Sequence, residues 1–165
     1  MASLAAMGYV EHIHIAPANG APMRAVPEIE VVMRVGVIGD RHANHTGRWD
    51  ESNIGEELTL VEAESLEMLA RDHGIELQPG ETRRNVTTRG VALNDLVGQT
   101  FRTGDVLMRG VELCEPCQHL TEVVGKPVIK PLTHRAGLRV ELLSSGAIRT
   151  GDRIEVTADA EEAVS

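Results

Sequence analysis

Phe101-Arg102-Thr103-Gly104-Asp105-Val106-Leu107-Met108-Arg109-Gly110-Val111-Glu112-Leu113 reads as a tight turn that feeds a long apolar strand, and its opening recurs as Ile148-Arg149-Thr150-Gly151-Asp152-Arg153. In both copies glycine supplies a positive φ and aspartate a local turn hydrogen bond. The shared pattern, apolar-Arg-Thr-Gly-Asp, leaves two readings open: a pseudo-repeat in a closed barrel, or two independent tight turns. Either way the second half of the chain is strand-rich. Strands are predicted near 85–88, 105–113, 138–143 and 153–157, with a short helix over 118–124.

Working upstream, strict alternation predicts a first strand over 10–16, with Ile13 and Ile15 on one face and His12 and His14 on the other. Residues 17–22 read as a loop. A β-branched run over 29–37 predicts a second strand ending at Gly36 and Gly39. The polar segment that follows, opened by Gly39-Asp40-Arg41-His42-Ala43-Asn44-His45 and reaching Gly55, has the length of a functional or mobile loop. A short strand is predicted over 58–61 and a helix over 62–73, with Leu66, Leu69 and Ala70 at helical spacing and Gly74 as its stop. The fold class is therefore mainly β with a few helices (α+β), as one domain over 9–157. Residues 1–8 are expected to be a flexible start and the acidic 158–165 a disordered tail.

At 165 residues the chain buries about 70% of its unfolded surface without disulfide or metal staples. Its net charge of −9 argues against general attraction to nucleic acid or to anionic lipid. With Tyr9, Trp49 and Phe101 as its aromatics it also lacks platforms on which single-stranded bases stack. No apolar run approaches the roughly 18 residues of a membrane span, and the first residues lack the basic start of an export signal. Cysteine usage suits a reducing compartment, so a cytoplasmic location is expected. No apolar stripe demands an oligomer, which leaves monomer or homodimer.

The basic side chains are mostly arginine, with Lys126 and Lys130 the exceptions, so a local anion site would use planar guanidinium forks. Those lysines flank Pro127 and Pro131 in a loop, not the buried setting of a Schiff-base lysine. The densest donor set is Thr82-Arg83-Arg84-Asn85-Val86-Thr87-Thr88-Arg89-Gly90. On a strand Arg83 and Arg84 would point to opposite faces, so one of them would line any pocket shared with the neighbours of Asn85. Asp40, Arg41 and His42, with His45, form a second candidate metal or anion site, equally readable as an ordinary surface loop.

Both cysteines fall in Leu113-Cys114-Glu115-Pro116-Cys117-Gln118-His119-Leu120. A thiol acts as nucleophile or soft-metal ligand only as thiolate, so it needs cations, donors or a metal nearby. A thioredoxin-like redox pair wants its first cysteine at the start of a long helix in a βαβ unit. A zinc site would combine Cys114, Cys117 and His119 with a distant His134 or His42, without a clear second ligand pair. Both thiols can also be read as small buried hydrophobes, although Pro116 turns Cys117 out of the strand ladder.

Several separated segments, in order, resemble one family, the MOSC domain, named for the C-terminal domain of molybdenum cofactor sulfurases. They are Gly39-Asp40-Arg41-His42, Leu58-Thr59-Leu60-Val61-Glu62-Ala63-Glu64, the Thr82 to Gly90 donor set, Leu96-Val97-Gly98-Gln99-Thr100-Phe101, the Cys114 to Leu120 segment and Ala136-Gly137-Leu138-Arg139. The resemblance spans about 9 to 157. It implies a compact MOSC-type β-barrel, with Cys117 at the family's cysteine, which either carries sulfur as a persulfide or ligates molybdenum in reductases of N-hydroxylated compounds. Arg83, Arg84 and Asn85 would then lie near the anionic pterin or molybdate oxygens, with Asp40, Arg41, His42 and His119 as further cofactor contacts. No segment resembles the cysteine desulfurase domain, N-terminal barrel or iron-sulfur module found beside this domain elsewhere. Sulfur or electrons are therefore expected from a partner protein, and a small-molecule substrate is possible within the resemblance. Pyridoxal phosphate, sometimes associated with the family, has no supporting residue here. The alternative from another class is a non-catalytic zinc-binding or redox-sensing module built on Cys114 and Cys117.

Overall fold

The computed structural model describes residues 7–18, 21–40, 57–116, 121–122 and 125–156. In chain order the strands are β1 (Met7–Ile15), β2 (Arg24–Ala25), β3 (Glu28–Val32), β4 (Gly36–Val37), β5 (Leu58–Glu62), β6 (Val86–Arg89), β7 (Thr100–Thr103), β8 (Val106–Leu113), β9 (Leu138–Leu142), β10 (Gly146–Arg149) and β11 (Arg153–Glu155). Helix α1 (Ala63–His73) follows β5, and the one-turn α2 (Ile129–Leu132) precedes β9.

Seven strands close into a barrel in the order β11-β7-β8-β9-β5-β6-β1, sealed by β1 against β11 through Gly8↔Ile154. Closure removes the exposed sheet edges that would otherwise invite association. Every neighbouring pair in the barrel is antiparallel except β5 and β6, which run parallel with Leu60 opposite Val86. A parallel pair needs a crossover, and α1 supplies it. The helix ends where Gly74 takes the left-handed conformation (φ 66°), as the sequence predicts.

Alternation along the strands, reset on β1 by a bulge between Val10 and His12, sends Val10, Ile13, Leu60, Val86, Phe101, Met108, Leu138, Val140 and Ile154 into one buried core. A satellite core of Leu66, Leu69, Leu77, Val128, Leu132 and Ala136 glues α1 and α2 to the wall. A smaller sheet, β10-β3-β4, rests against the barrel through Ile29, Val31, Val37 and Ile148.

The single strand expected over 29–37 is instead a hairpin. Arg34 adopts a positive φ of 70°, the chain reverses, and Val31 comes opposite Val37. The two Arg-Thr-Gly-Asp turns are also used differently. Gly104 and Asp105 join β7 directly to β8, whereas the second turn carries the chain from β10 in the small sheet to β11 in the barrel. The turns meet, since the Gly104 N–H donates to Arg153 O at 2.8 Å. Residues 100–103 and 146–149, turn approaches by sequence pattern, are paired strands. The expected helix over 118–124 is helical at Thr121 and Glu122, and its other residues are mostly outside those described. The 158–165 tail lies outside them as well, and of the 1–8 start β1 already includes Met7 and Gly8.

Candidate functional site at one end of the barrel

Strand register gathers the candidate residues. Ile13 lies opposite Val86, Val86 opposite Leu60, Leu60 opposite Leu138, and Leu138 opposite Leu113. Beyond this row β1 and β8 finish while β5, β6 and β9 begin, so one barrel end collects His14, Thr59, Arg83, Arg84, Asn85, Gly137 and Cys114.

Asn85 is fully buried and spans three strands. Its Oδ1 accepts from Thr59 N and Thr59 Oγ1, both at 3.3 Å, and its Nδ2 donates to His14 O at 3.2 Å. Its main chain adds bonds to Thr59 Oγ1 (3.0 Å) and from His14 N (2.7 Å). The amide thus fastens β1, β5 and the entry to β6 to one another.

Arg83 and Arg84 precede β6 and are not on a strand. Arg83 caps a tight helical turn over Pro79–Thr82 and sits in the left-handed region (φ 63°, ψ 21°). The two guanidiniums diverge as expected, but through this turn and not through a strand pleat. Arg83 Nη1 donates to Ala21 O at 2.8 Å, whereas Arg84 Nε donates to Ala136 O at 2.9 Å.

A cleft of about 470 Å³ opens beside Arg83, lined also by His14, Met23, Gln78, Gly80 and Glu81. Nothing in the sequence pattern singles out His14 beyond its place on the polar face of the first strand. Its imidazole packs on Gly80 so closely that a Cβ there would come within 2.6 Å of Cδ2. Its Nδ1 is buried without a hydrogen-bond partner among the described residues, and burial, followed by the neighbouring His12, holds its pKa below the ordinary value. Glu81, the acidic residue of this lining, turns its carboxylate back to accept from Gln78 N at 2.7 Å.

On the other flank Cys114 is buried, its N–H donating to Gly137 O at 2.8 Å. Burial pushes its thiol up, against the opposing pull of Arg84 and Arg139. Gly137 (φ 125°) has no room for a side chain, because a Cβ would strike Leu60 O. The next residue, Glu115, accepts from His134 N and pairs with His134 Nδ1, both at 2.7 Å, which holds its carboxyl below the usual range. His134, a zinc candidate from sequence, therefore anchors the Cys114–Pro116 segment to the α2–β9 connection.

Asp40 is buried, and its Oδ1 accepts from Ala16 N at 3.0 Å, fastening the exit of β4 to the end of β1. Arg41, His42, Cys117 and His119 lie outside the described residues. Among the described residues no group of three or more His, Cys, Asp and Glu side chains is arranged to hold a metal ion. No helix among them is long and apolar enough to cross a membrane.

The chain matches the family model of the MOSC domain over residues 41–155. Among curated proteins none matches it. The fold is shared with the crystal structure of YuaD from Bacillus subtilis (18% identity, TM-score 0.78, covering 95% of this chain and 97% of that one). It is also shared with YiiM from Geobacillus stearothermophilus (16%, 0.70, 92% and 75%) and YiiM from Escherichia coli (17%, 0.64, 89% and 68%).

Proposed function

The chain belongs to the MOSC domain family, and from that premise we propose that it binds molybdenum cofactor, or carries sulfur on Cys117, at the barrel end described above. The observation that carries this reading is Arg83. A left-handed backbone suits glycine or asparagine, and an arginine there sets its guanidinium in a cleft at a conformational cost of about 1–2 kcal/mol. Residues held in such strain cluster at active sites and ligand clamps.

The donor set fits an anionic pterin. Arg83 would hold its oxyanions in the cleft, Arg84 would add charge between the cleft and Cys114, and His14 would offer a neutral imidazole edge. Asn85 serves as the strut that fixes both. Asp40 likewise steadies the β1 end, with Arg41, His42 and His119 completing the contacts. Cys117 supplies the thiolate, three residues beyond a Cys114 whose burial keeps its own thiol protonated. When bound, the cofactor supplies a metal centre able to exchange electrons and oxygen or sulfur ligands. In the sulfur-carrying mode the Cys117 thiolate attacks the outer sulfur of a donor protein's persulfide. A new S–S bond forms, and the donor thiolate leaves with the old bond's electrons. Reduction of N-hydroxylated compounds is the reaction class that goes with the cofactor mode, with electrons from a partner protein.

The test is elemental analysis with intact-mass spectrometry on protein made in a host that synthesises the cofactor, for wild type, Cys117→Ala and Cys114→Ala. Molybdenum, or a mass gain of one sulfur, is expected in wild type and Cys114→Ala and lost in Cys117→Ala. Stoichiometric zinc lost in Cys114→Ala would replace this reading with the metal-module alternative.

A further inference from the structure

Beneath α1 lies a second pocket, of about 360 Å³, between the helix, the segment 76–79 and the outward faces of β1 and β6. On β6, Val86 packs in the barrel core, so the two-residue period turns Thr87 and Arg89 outward, into this pocket. Thr87 is fully buried, yet its Oγ1 has no hydrogen-bond partner among the described residues. The adjacent Thr88, facing the other way, is satisfied by Val61 O. A buried hydroxyl left unpaired on a pocket floor is disfavoured unless something enters to meet it.

The surroundings specify what enters. Ala63, Leu66 and Leu77 make apolar walls, while Glu11, Glu67 and Glu76 stand around them. Arg89 is clamped between two of these carboxylates, with Nε to Glu11 Oε1 at 2.6 Å and Nη2 to Glu67 Oε2 at 2.7 Å. The clamp ties α1 to the barrel wall and sets the pocket's width. The other cations nearby are turned to other partners: Arg71 binds Asp72, and Lys126 Nζ binds the main-chain oxygen of Glu76. Carboxylates therefore outnumber cations at the pocket.

We propose that this pocket is a binding site for a small primary amine in its ammonium form, carried on a short apolar body. The ammonium donates to Thr87 Oγ1 and to the surrounding carboxylates, and the apolar body lies on Leu66 and Leu77. The pocket adjoins the cleft at Arg83 through Gln78, which lines both, but its binding groups are its own and it does not depend on the cofactor reading.

The experiment is a ¹H–¹⁵N NMR titration of the full chain with benzylammonium, benzyl alcohol and benzoate, repeated on Thr87→Val, Glu67→Gln and Cys117→Ala. Benzylammonium is expected to shift the amides of Leu66, Leu77 and Thr87, to bind Thr87→Val about ten-fold or more weakly, and to bind Cys117→Ala as it binds wild type. Glu67→Gln should weaken it too. Thr87→Val replaces an unpaired hydroxyl by a methyl of similar volume, so a folded variant is expected and its spectrum verifies that. Benzoate binding as well as benzylammonium, unchanged affinity in Thr87→Val, or no shifts at any accessible concentration would overturn the proposal and leave Thr87 with water as its partner.

Discussion

Replacing Arg83 separates what its backbone costs from what its side chain does. In both Arg83→Ala and Arg83→Gly the bond from Nη1 to Ala21 O disappears, a loss of about 1 kcal/mol. Alanine keeps a Cβ in the left-handed region and so retains the strain of about 1–2 kcal/mol. Glycine releases that strain but brings about 0.5–1 kcal/mol of additional unfolded-state entropy. The difference places Arg83→Gly about 0.5–1 kcal/mol above Arg83→Ala, close to wild type. For a chain of this size that is about 1–4 °C in Tm. Urea denaturation with a common m-value measures it. Both variants should lose molybdenum from protein made in a cofactor-producing host, because the guanidinium is gone in each. An Arg83→Gly no more stable than Arg83→Ala would show that the backbone is not strained. Full metal content in either variant would show that the guanidinium is not used.

Three further outcomes test the rest of the barrel end. Asn85→Ala strips partners from Thr59 and His14 in a buried place and should cost about 2–4 kcal/mol in chemical denaturation; a loss below 1 kcal/mol, by the same scale, would mean that the strands hold without the strut. Burial raises the Cys114 thiol, so its contribution to stability is present below the ordinary thiol value of 9.0 and is lost as pH rises through the higher folded value. Native protein treated with iodoacetamide near neutral pH should accordingly leave Cys114 unmodified, as peptide mass mapping would reveal, while urea-unfolded protein is alkylated there. His14 has the opposite sign: its folded pKa lies below 6.5, so the stability present above that pH is lost as pH falls from 6.5 through the lowered value. Wild type should weaken relative to His14→Gln as the solution is acidified, and a stability difference that stays constant from about pH 8 to 5 would remove burial of His14 as the cause.

Much of the scaffold is written in consecutive residues. Inward and outward alternation of Ile13 and Ile15 against His12 and His14, the helical spacing of Leu66 and Leu69, and the stop at Gly74 are properties of short windows. So is the Gly104-Asp105 turn, and the ordered motifs carry the family. What failed locally did so for local reasons of another kind. The 29–37 run looks like one strand because Arg34 gives no sign that it will adopt a positive φ, and the short strand at 146–149 gains its status from β3, far away in sequence.

The sequence by itself therefore determined the strand-rich class, most of the elements, the family and the cysteine and arginine segments that the resemblance singles out. Only the tertiary structure decided which of those groups meet. Asn85, a candidate cofactor contact in sequence, is seen in the structure to tie strands together because its amide finds His14 across 71 residues of chain. Arg83 and Arg84 read as strand neighbours and are parted by a left-handed turn. His14 and Thr87, unremarkable as residues, acquire a cleft and a pocket from the closure of β1 on β6 and the crossover of α1. The physical reason is one of range: side-chain direction repeats with the backbone and is encoded locally, whereas the neighbours of an outward side chain depend on register between strands that the chain joins only after folding.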